Sequence, residues 1–340
     1  YQPHSRIYHF EGISHGTDLN AGIKQHQVVN AERFLEKWRV VLQAEHLPNG
    51  EQVFHARDRS WTRRTVLVVD HYVPSYDKDA GSRSTWQYLQ LMVDMGYNVK
   101  FIGANFFPHQ PYTRELQAMG VEVLVGEGMA RNLDTWLAEH ASSIDTVYIH
   151  RPHVAEQLVG SFLALRPRPK LIFFGHDLHF LRVEREFELT GDAGLKAQAT
   201  QWKDRELAVF SQVDKVYYPS QVEVEVVRGV APQTDVRAIP LYVLQDSAGT
   251  QYQWSERSDI LFVGGFNHPP NVDGLCWFVD EVMPLVWEQC PQLKLHVVGS
   301  SAPVVVQSLA QDRVLIHGYL SDEELAKQYL RARMVAVPLR

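Results

Sequence analysis

From position 65 onward this chain alternates short apolar runs with amphipathic stretches, and few folds accept that pattern. The apolar runs cover 65–70, 98–103, 121–125, 146–150, 170–174, 215–218 and 236–239. Between them, helical spacing is predicted over 81–95, 112–119, 133–140, 154–165, 193–210 and 221–227. Strands that read as unbroken apolar runs are buried on both faces, as in a parallel sheet covered by helices. The expected fold class is therefore α/β and doubly wound. Residues 241–258 are polar and aperiodic, which predicts a linker, and the alternation restarts at 259. Two tandem Rossmann-like domains facing a cleft, 65–240 and 259–340, are expected.

Residues 1–64 stand outside this scheme, with six histidines, one helical pattern over 28–43 and a polar stretch over 47–64. A single helix in about 60 residues buries too little apolar surface for an independent core. This α-rich appendage is expected either to pack on the main body or to be the tail of an upstream module.

The second domain opens on the strand Ile260-Leu261-Phe262-Val263, which runs into Gly264-Gly265-Phe266-Asn267-His268 and a helix predicted over 272–287. A strand, a glycine turn and a helix N-terminus together suit a phosphorylated ligand, because turn N–H groups and the helix dipole both favour an anion. Pro269, Pro270 and Asn271 suit the first positions of that helix. A strand over 293–298 leads to Gly299, and the pattern repeats through His317-Gly318-Tyr319 to a last strand over 334–340. A final strand with nothing after it leads us to expect a fragment of a longer protein.

In the first domain, Gly175-His176-Asp177-Leu178-His179 directly follows a strand. Open α/β sheets place ligands at such strand ends, so His176 can act as a base or donate to a developing charge. A histidine satisfied by backbone at a turn is the competing reading. His176/His179 and His150/His153 share i, i+3 spacing, but a metal needs three or four converging ligands and neither pair lies on a clear helix. Gly81-Ser82 forms another anion cradle at a helix start, with Arg83 in reach of a phosphate. The Asp77-Lys78-Asp79 tripeptide reads as solvated charge or a helix cap.

Several function classes are excluded or weakened. A net charge of −7 offers no electrostatic footprint for nucleic acid. The apolar runs are too short to span a bilayer, and two cysteines, Cys276 and Cys290, suggest no disulfide framework, so a cytoplasmic location is expected.

Together, VVDHYVPSYDKDAGSRS, GYNV, FFGHDLHF, the E-x7-D-x-V-x3-S spacing from Glu206 to Ser220, ILFVGGFNHPPNVDG, FVDEVMPLV, HVVGS, IHGYLSD and VAVPLR resemble the GT-B glycosyltransferases of the group 1 (family 4) type, over about 65–340. The resemblance implies retaining, hexosyl-transferring chemistry on a UDP-, GDP- or dTDP-sugar, with no metal and no further cofactor. His176 and Asp177 would lie beside the donor sugar. Gly81, Ser82 and Arg83 would face the diphosphate, Gly264, Gly265 and Asn267 would line the cleft, and Gly299, His317, Gly318 and Tyr319 would lie near the nucleotide. The acceptor would be a glycan or a lipid-linked glycan in O-antigen- or capsule-like biosynthesis, with peripheral contact at the inner membrane face for a lipid carrier.

Two departures stand out. FNHPPNVDG lacks the basic pair that many members carry after this loop, and the family's glutamate motif would come after Arg340. Weakened or absent activity of this chain is therefore expected. Tyr8-His9-Phe10-Glu11-Gly12, with Arg33-Phe34 and Lys37-Trp38, resembles the closing segment of a family-2 (GT-A) enzyme, which implies an upstream glycosyltransferase module in the same parent chain. Alternatives are a GT-B-fold nucleotide-sugar epimerase and a non-catalytic scaffold or glycan-binding module.

Overall fold

A computed structural model describes Tyr8, Asp18 and residues 22–48, 51–56, 62–243 and 253–338. The His9 motif, most of the expected linker and Leu339-Arg340 lie outside the described residues. The chain separates into two compact units, Tyr1–Gln245 and Asp246–Arg340.

In the first unit the order is α1 (Gln25–Glu45), α2 (Val53–Ala56), β1 (Thr65–Asp70), α3 (Ala80–Asp94), β2 (Asn98–Gly103), α4 (Tyr112–Met119), β3 (Glu122–Leu124), α5 (Glu127–His140), β4 (Thr146–His150), α6 (Pro152–Ala164), β5 (Lys170–Phe174), α7 (His179–Thr190), α8 (Ala193–Phe210), β6 (Lys215–Tyr218), α9 (Gln221–Val230) and β7 (Val236–Ala238). The seven strands form one sheet in the order β3-β2-β1-β4-β5-β6-β7. Every pairing is parallel.

Alternate residues of β1 supply opposite faces of this sheet. Leu67 and Val69 join Val147, Ile149, Leu171 and Phe173 under α5, α6 and α9. Val66 and Val68 join Val99, Phe101, Tyr148 and Phe174 under α3 and α4. That two-sided burial is why the strands are predominantly apolar. The order steps from β1 outward to β3, then returns past β1 to β4, so the crevice outside β1 and β4 is the topological switch point.

The second unit runs β8 (Ser258–Val263), α10 (Pro269–Trp277), α11 (Met283–Gln289), β9 (Leu295–Val298), α12 (Val304–Gln307), β10 (Val314–Gly318), α13 (Asp322–Arg331) and β11 (Ala332–Ala336). Its parallel sheet has the order β10-β9-β8-β11. Ile260, Phe262, Leu295 and Val297 form the larger core with Leu275, Met283 and Trp287.

Four elements differ from sequence expectation. Helix α5 begins at Glu127 and kinks at Asn132 (φ −118°), whose side-chain amide donates to the Gly128 carbonyl at 2.8 Å and competes with the helical ladder. Helix α7 was not anticipated. The helix expected over 272–287 is broken by a π-helical segment, Phe278–Val282, just ahead of Pro284, which has no N–H to give. The last strand starts at Ala332 and has ended before Pro338. No helix among the described residues is long and apolar enough to cross a membrane.

Candidate active site

Three strand ends meet at the switch point of the first unit. Asp70 ends β1 and His150 ends β4, both buried, and His176 lies two residues past β5. The Asp70 carboxylate accepts from Arg151 Nε at 2.7 Å, from the His71 backbone N–H at 2.7 Å and from the Thr85 hydroxyl at 2.8 Å. Thr85 Oγ1 is 3.4 Å from His150 Nδ1, which lies 2.8 Å from His176 Nε2. A single chain of contacts thus runs from Asp70 through Thr85 and His150 to His176.

The electrostatics follow from burial and one ion pair. Burial works to raise the Asp70 carboxyl pKa, but the Arg151 guanidinium together with the surrounding His150, His176 and His71 outweighs it and holds the group well below the usual carboxylate range. Burial pushes His150 down to about 4 and His176 to about 3, the latter with a contribution from His150. Both rings are therefore neutral at neutral pH. His71, also lowered by burial, to about 4, lies against Tyr72 with centroids 3.7 Å apart and the rings tilted by 34°.

Among the described residues, four buried side-chain atoms lack a hydrogen-bond partner: His71 Nε2, Tyr148 OH, His150 Nε2 and Arg151 Nη2. All four sit on β4 or beside the ends of β1 and β4, so the protein's unused polar capacity concentrates where this fold binds ligands.

Local backbone geometry holds the loop after β5. A Cβ on Gly175 would come within 2.2 Å of the Tyr218 ring, so the chain passes there only as glycine. His176 takes a left-handed conformation (φ +55°), an uncommon state for a non-glycine residue. Beyond it, the Leu178 N–H donates to Glu223, and the His179 and Phe180 N–H groups donate to the two oxygens of buried Glu206, each at 3.0 Å. Asp177 points elsewhere, accepting from Arg182 Nε at 2.8 Å.

At the start of α3, Asp79 is the N-cap and accepts from both Ser82 N and Ser82 Oγ. The Asp-Lys-Asp tripeptide thus contributes a cap, and Ser82 already has its partner. Gly81 has a sharper role, since a Cβ there would stand 2.5 Å from Arg151 Nη2. Its glycine lets the guanidinium lie against the N-terminal turn of a 15-residue helix. Arg83 turns to the Tyr76 carbonyl at 3.3 Å and lines a separate surface hollow of about 440 Å³ with Trp86, Gln90 and Val243.

Of the residues expected from the sequence, the structure brings His176 and Gly81 to this switch point, beside Asp70, Thr85 and Arg151, for which no expectation was stated. The signal for Arg151 was its position, directly after a strand and before Pro152 at a helix start.

Asp70, His150 and His176 also place ligand-type atoms within 4.8 Å of one another, a two-histidine, one-carboxylate set of the kind divalent metals use. Three hydrogen bonds, one of them from the Arg151 cation, already occupy the carboxylate, and a 2.8 Å nitrogen separation is that of a hydrogen bond, so the set fits a cation poorly.

In the second unit, glycines meet at the strand ends. A Cβ on Gly299 would lie 1.9 Å from the Gly264 carbonyl oxygen, and the Gly299 N–H donates to the Gly318 carbonyl at 2.8 Å. Gly264 N donates to Val298 O at 3.0 Å, and Asn271 closes the loop by donating to the Gly265 carbonyl at 2.9 Å. Asn267 and Tyr319 are exposed beside these turns. His317 stacks on His296 with rings 4° from parallel and a 2.9 Å nitrogen contact, which turns it along β9 and β10 rather than towards the glycines.

A family model for group 1 glycosyl transferases matches residues 257–340. An uncharacterised 44.6 kDa protein in the cps region of Klebsiella pneumoniae is 31% identical over 78 residues, 21% of this chain, and the match spans only 20% of that relative's length. Sucrose-phosphate synthase from Thermosynechococcus elongatus shares the fold, with a TM-score of 0.54 and 18% identity over 82% of this chain and 76% of that one. The apo form of WaaB, a lipopolysaccharide outer core galactosyltransferase, is similar at a TM-score of 0.48 and 12% identity, over 79% of this chain and 72% of its own. Both units thus have parallel-sheet α/β architecture, the chain shares the fold of sucrose-phosphate synthase, and its residues 257–340 match the group 1 glycosyl transferase family.

Proposed function

We propose that the protein transfers a sugar from a nucleotide-sugar donor to a glycan or lipid-linked acceptor, with retention at the anomeric carbon. The observation that carries this reading is the group 1 match over residues 257–340, on a unit whose strand ends bring Gly264, Gly299 and Gly318 together. Glycine at these turns lets a phosphorylated ligand approach the strand ends closely, as nucleotide binding in such sheets requires. His176, at the switch point of the other unit, is the residue assigned to the donor sugar, and Arg151 with Gly81 is assigned to donor phosphate. The likeness to a protein of a cps region supports a place in polysaccharide biosynthesis. His176→Ala is expected to lower kcat by roughly 100-fold or more, the usual scale for losing one group that interacts with developing charge. The test is product formation from UDP-, GDP- and dTDP-sugars, with acceptor glycans supplied. Free or epimerised sugar formed without acceptor would replace this reading with an epimerase. Transfer that survives His176→Ala unchanged would remove His176 from the chemistry.

A further inference from the structure

We propose that His150 is a positioning residue that fixes the tautomer of His176, so that His176 presents Nδ1–H outward as a hydrogen-bond donor rather than as a base. The inference rests on the transferase reading only for its consequence in catalysis; the tautomer itself follows from the hydrogen bonds.

At 2.8 Å, His150 Nδ1 and His176 Nε2 share one proton, since two lone pairs or two N–H groups would repel there. Two observations decide which ring owns it. The ionised Asp70 carboxylate can only accept, so the single Thr85 hydroxyl hydrogen is committed to it at 2.8 Å. Thr85 Oγ1 therefore turns a lone pair to His150 Nδ1 at 3.4 Å, which favours an N–H on that nitrogen. The second observation is His150 Nε2, which is buried and without a partner. If His150 Nδ1 accepted from His176, Nε2 would carry a buried N–H with no acceptor. If Nδ1 donates, Nε2 is an unmet acceptor, the more tolerable defect in protein interiors.

The polarity thus runs from His150 Nδ1–H to His176 Nε2, with Thr85 and Asp70 setting it from behind. His176, neutral through its Nε2 acceptor bond, keeps its proton on Nδ1. In the transfer reaction that group donates to a sugar hydroxyl or to the departing oxygen and cannot abstract a proton there without first losing its own. The left-handed backbone at His176 (φ +55°) is what swings the ring back over β4 to make this contact.

The experiment is long-range 1H–15N spectroscopy of the histidine rings of the full chain at about pH 7.5, paired with steady-state kinetics. His176 is expected as the Nδ1–H tautomer and His150 likewise. His150→Leu, which removes the donor, is expected to release His176 to the Nε2–H form and to lower kcat roughly 10- to 100-fold with KM little changed. His150→Asn, whose side-chain N–H falls near the position of Nδ1, is expected to restore both. An Nε2–H tautomer at His176 in the unsubstituted protein overturns the proposal, and this spectrum decides the polarity even if a variant fails to fold. An unchanged kcat in folded His150→Leu overturns the positioning role. Zinc titration that abolishes both N–H signals would also overturn it and reassign the trio to a metal. If no nucleotide sugar is bound or turned over, the transferase reading falls while the tautomer assignment stands or falls on the spectrum alone.

Discussion

Gly81→Ala would set a methyl group 2.5 Å from Arg151 Nη2, and the guanidinium could escape only by loosening its 2.7 Å bond to Asp70. Donor affinity is expected to fall about 10-fold or more with modest loss of stability, as read by calorimetry and thermal melting. A second residue-scale consequence concerns pH. His150 and His176 have pKa values of about 4 and about 3 in the folded chain against 6.5 unfolded, so below 6.5 the unfolded chain binds more protons. Stability is therefore complete above about pH 6.5 and declines as pH falls, by on the order of 2 kcal/mol or more between about pH 7 and pH 5. Asp70, whose pKa is depressed, adds its own loss only at lower pH, below its unfolded value of 3.8. Urea midpoints across that range check the sign, and His150→Leu should flatten the slope. Of this cluster the sequence disclosed His176, because a histidine after an apolar run stands out in one dimension. Asp70, Thr85 and Arg151 did not, because only the strand order brings the end of β1 beside the end of β4.

The same distinction governs the elements. Helix α7 escaped notice because its start carries no cap of its own: Leu178 occupies the N-cap position, and the N–H groups of His179 and Phe180 are satisfied by Glu206 on the next helix. A cap 26 residues away leaves no local signature. Glu206→Ala strands one buried and one half-buried donor and is expected to cost roughly 2–4 kcal/mol, with the loop bearing His176 loosened first. Glu206→Gln, which keeps one acceptor oxygen, should cost less. Thermal melts measure the total, and hydrogen exchange at residues 178–180 locates it. In the second unit, Gly299→Ala drives a methyl group to within 1.9 Å of the Gly264 carbonyl, where both sides are backbone and neither can rotate away. A loss of about 2–3 kcal/mol is expected there, seen as earlier unfolding of the unit it belongs to. By contrast, the apolar runs of β1, β2, β4, β5 and β6 were legible to the residue, since burial on both faces keeps most of their positions apolar.

At the scale of the whole molecule, the parallel α/β architecture was legible from alternation alone, and the group 1 match over residues 257–340 from the motifs of that stretch. The charge distribution of the site was not. No basic pair follows Gly265, whereas a cation, Arg151, lies against the N-terminal turn of α3 in the first unit. If Arg151 meets donor phosphate, Arg151→Met should weaken donor binding while leaving nucleoside binding nearly unchanged, because only the phosphates lose a partner. The most direct test of the account is a calorimetric panel of UDP-, GDP-, dTDP- and CMP-sugars against the full-length protein and its Arg151→Met and His176→Ala variants. The account expects one donor class to bind the unsubstituted protein, more weakly after Arg151→Met, with His176→Ala removing turnover more than binding. Binding of no nucleotide sugar, or equal binding by all three proteins, would contradict it.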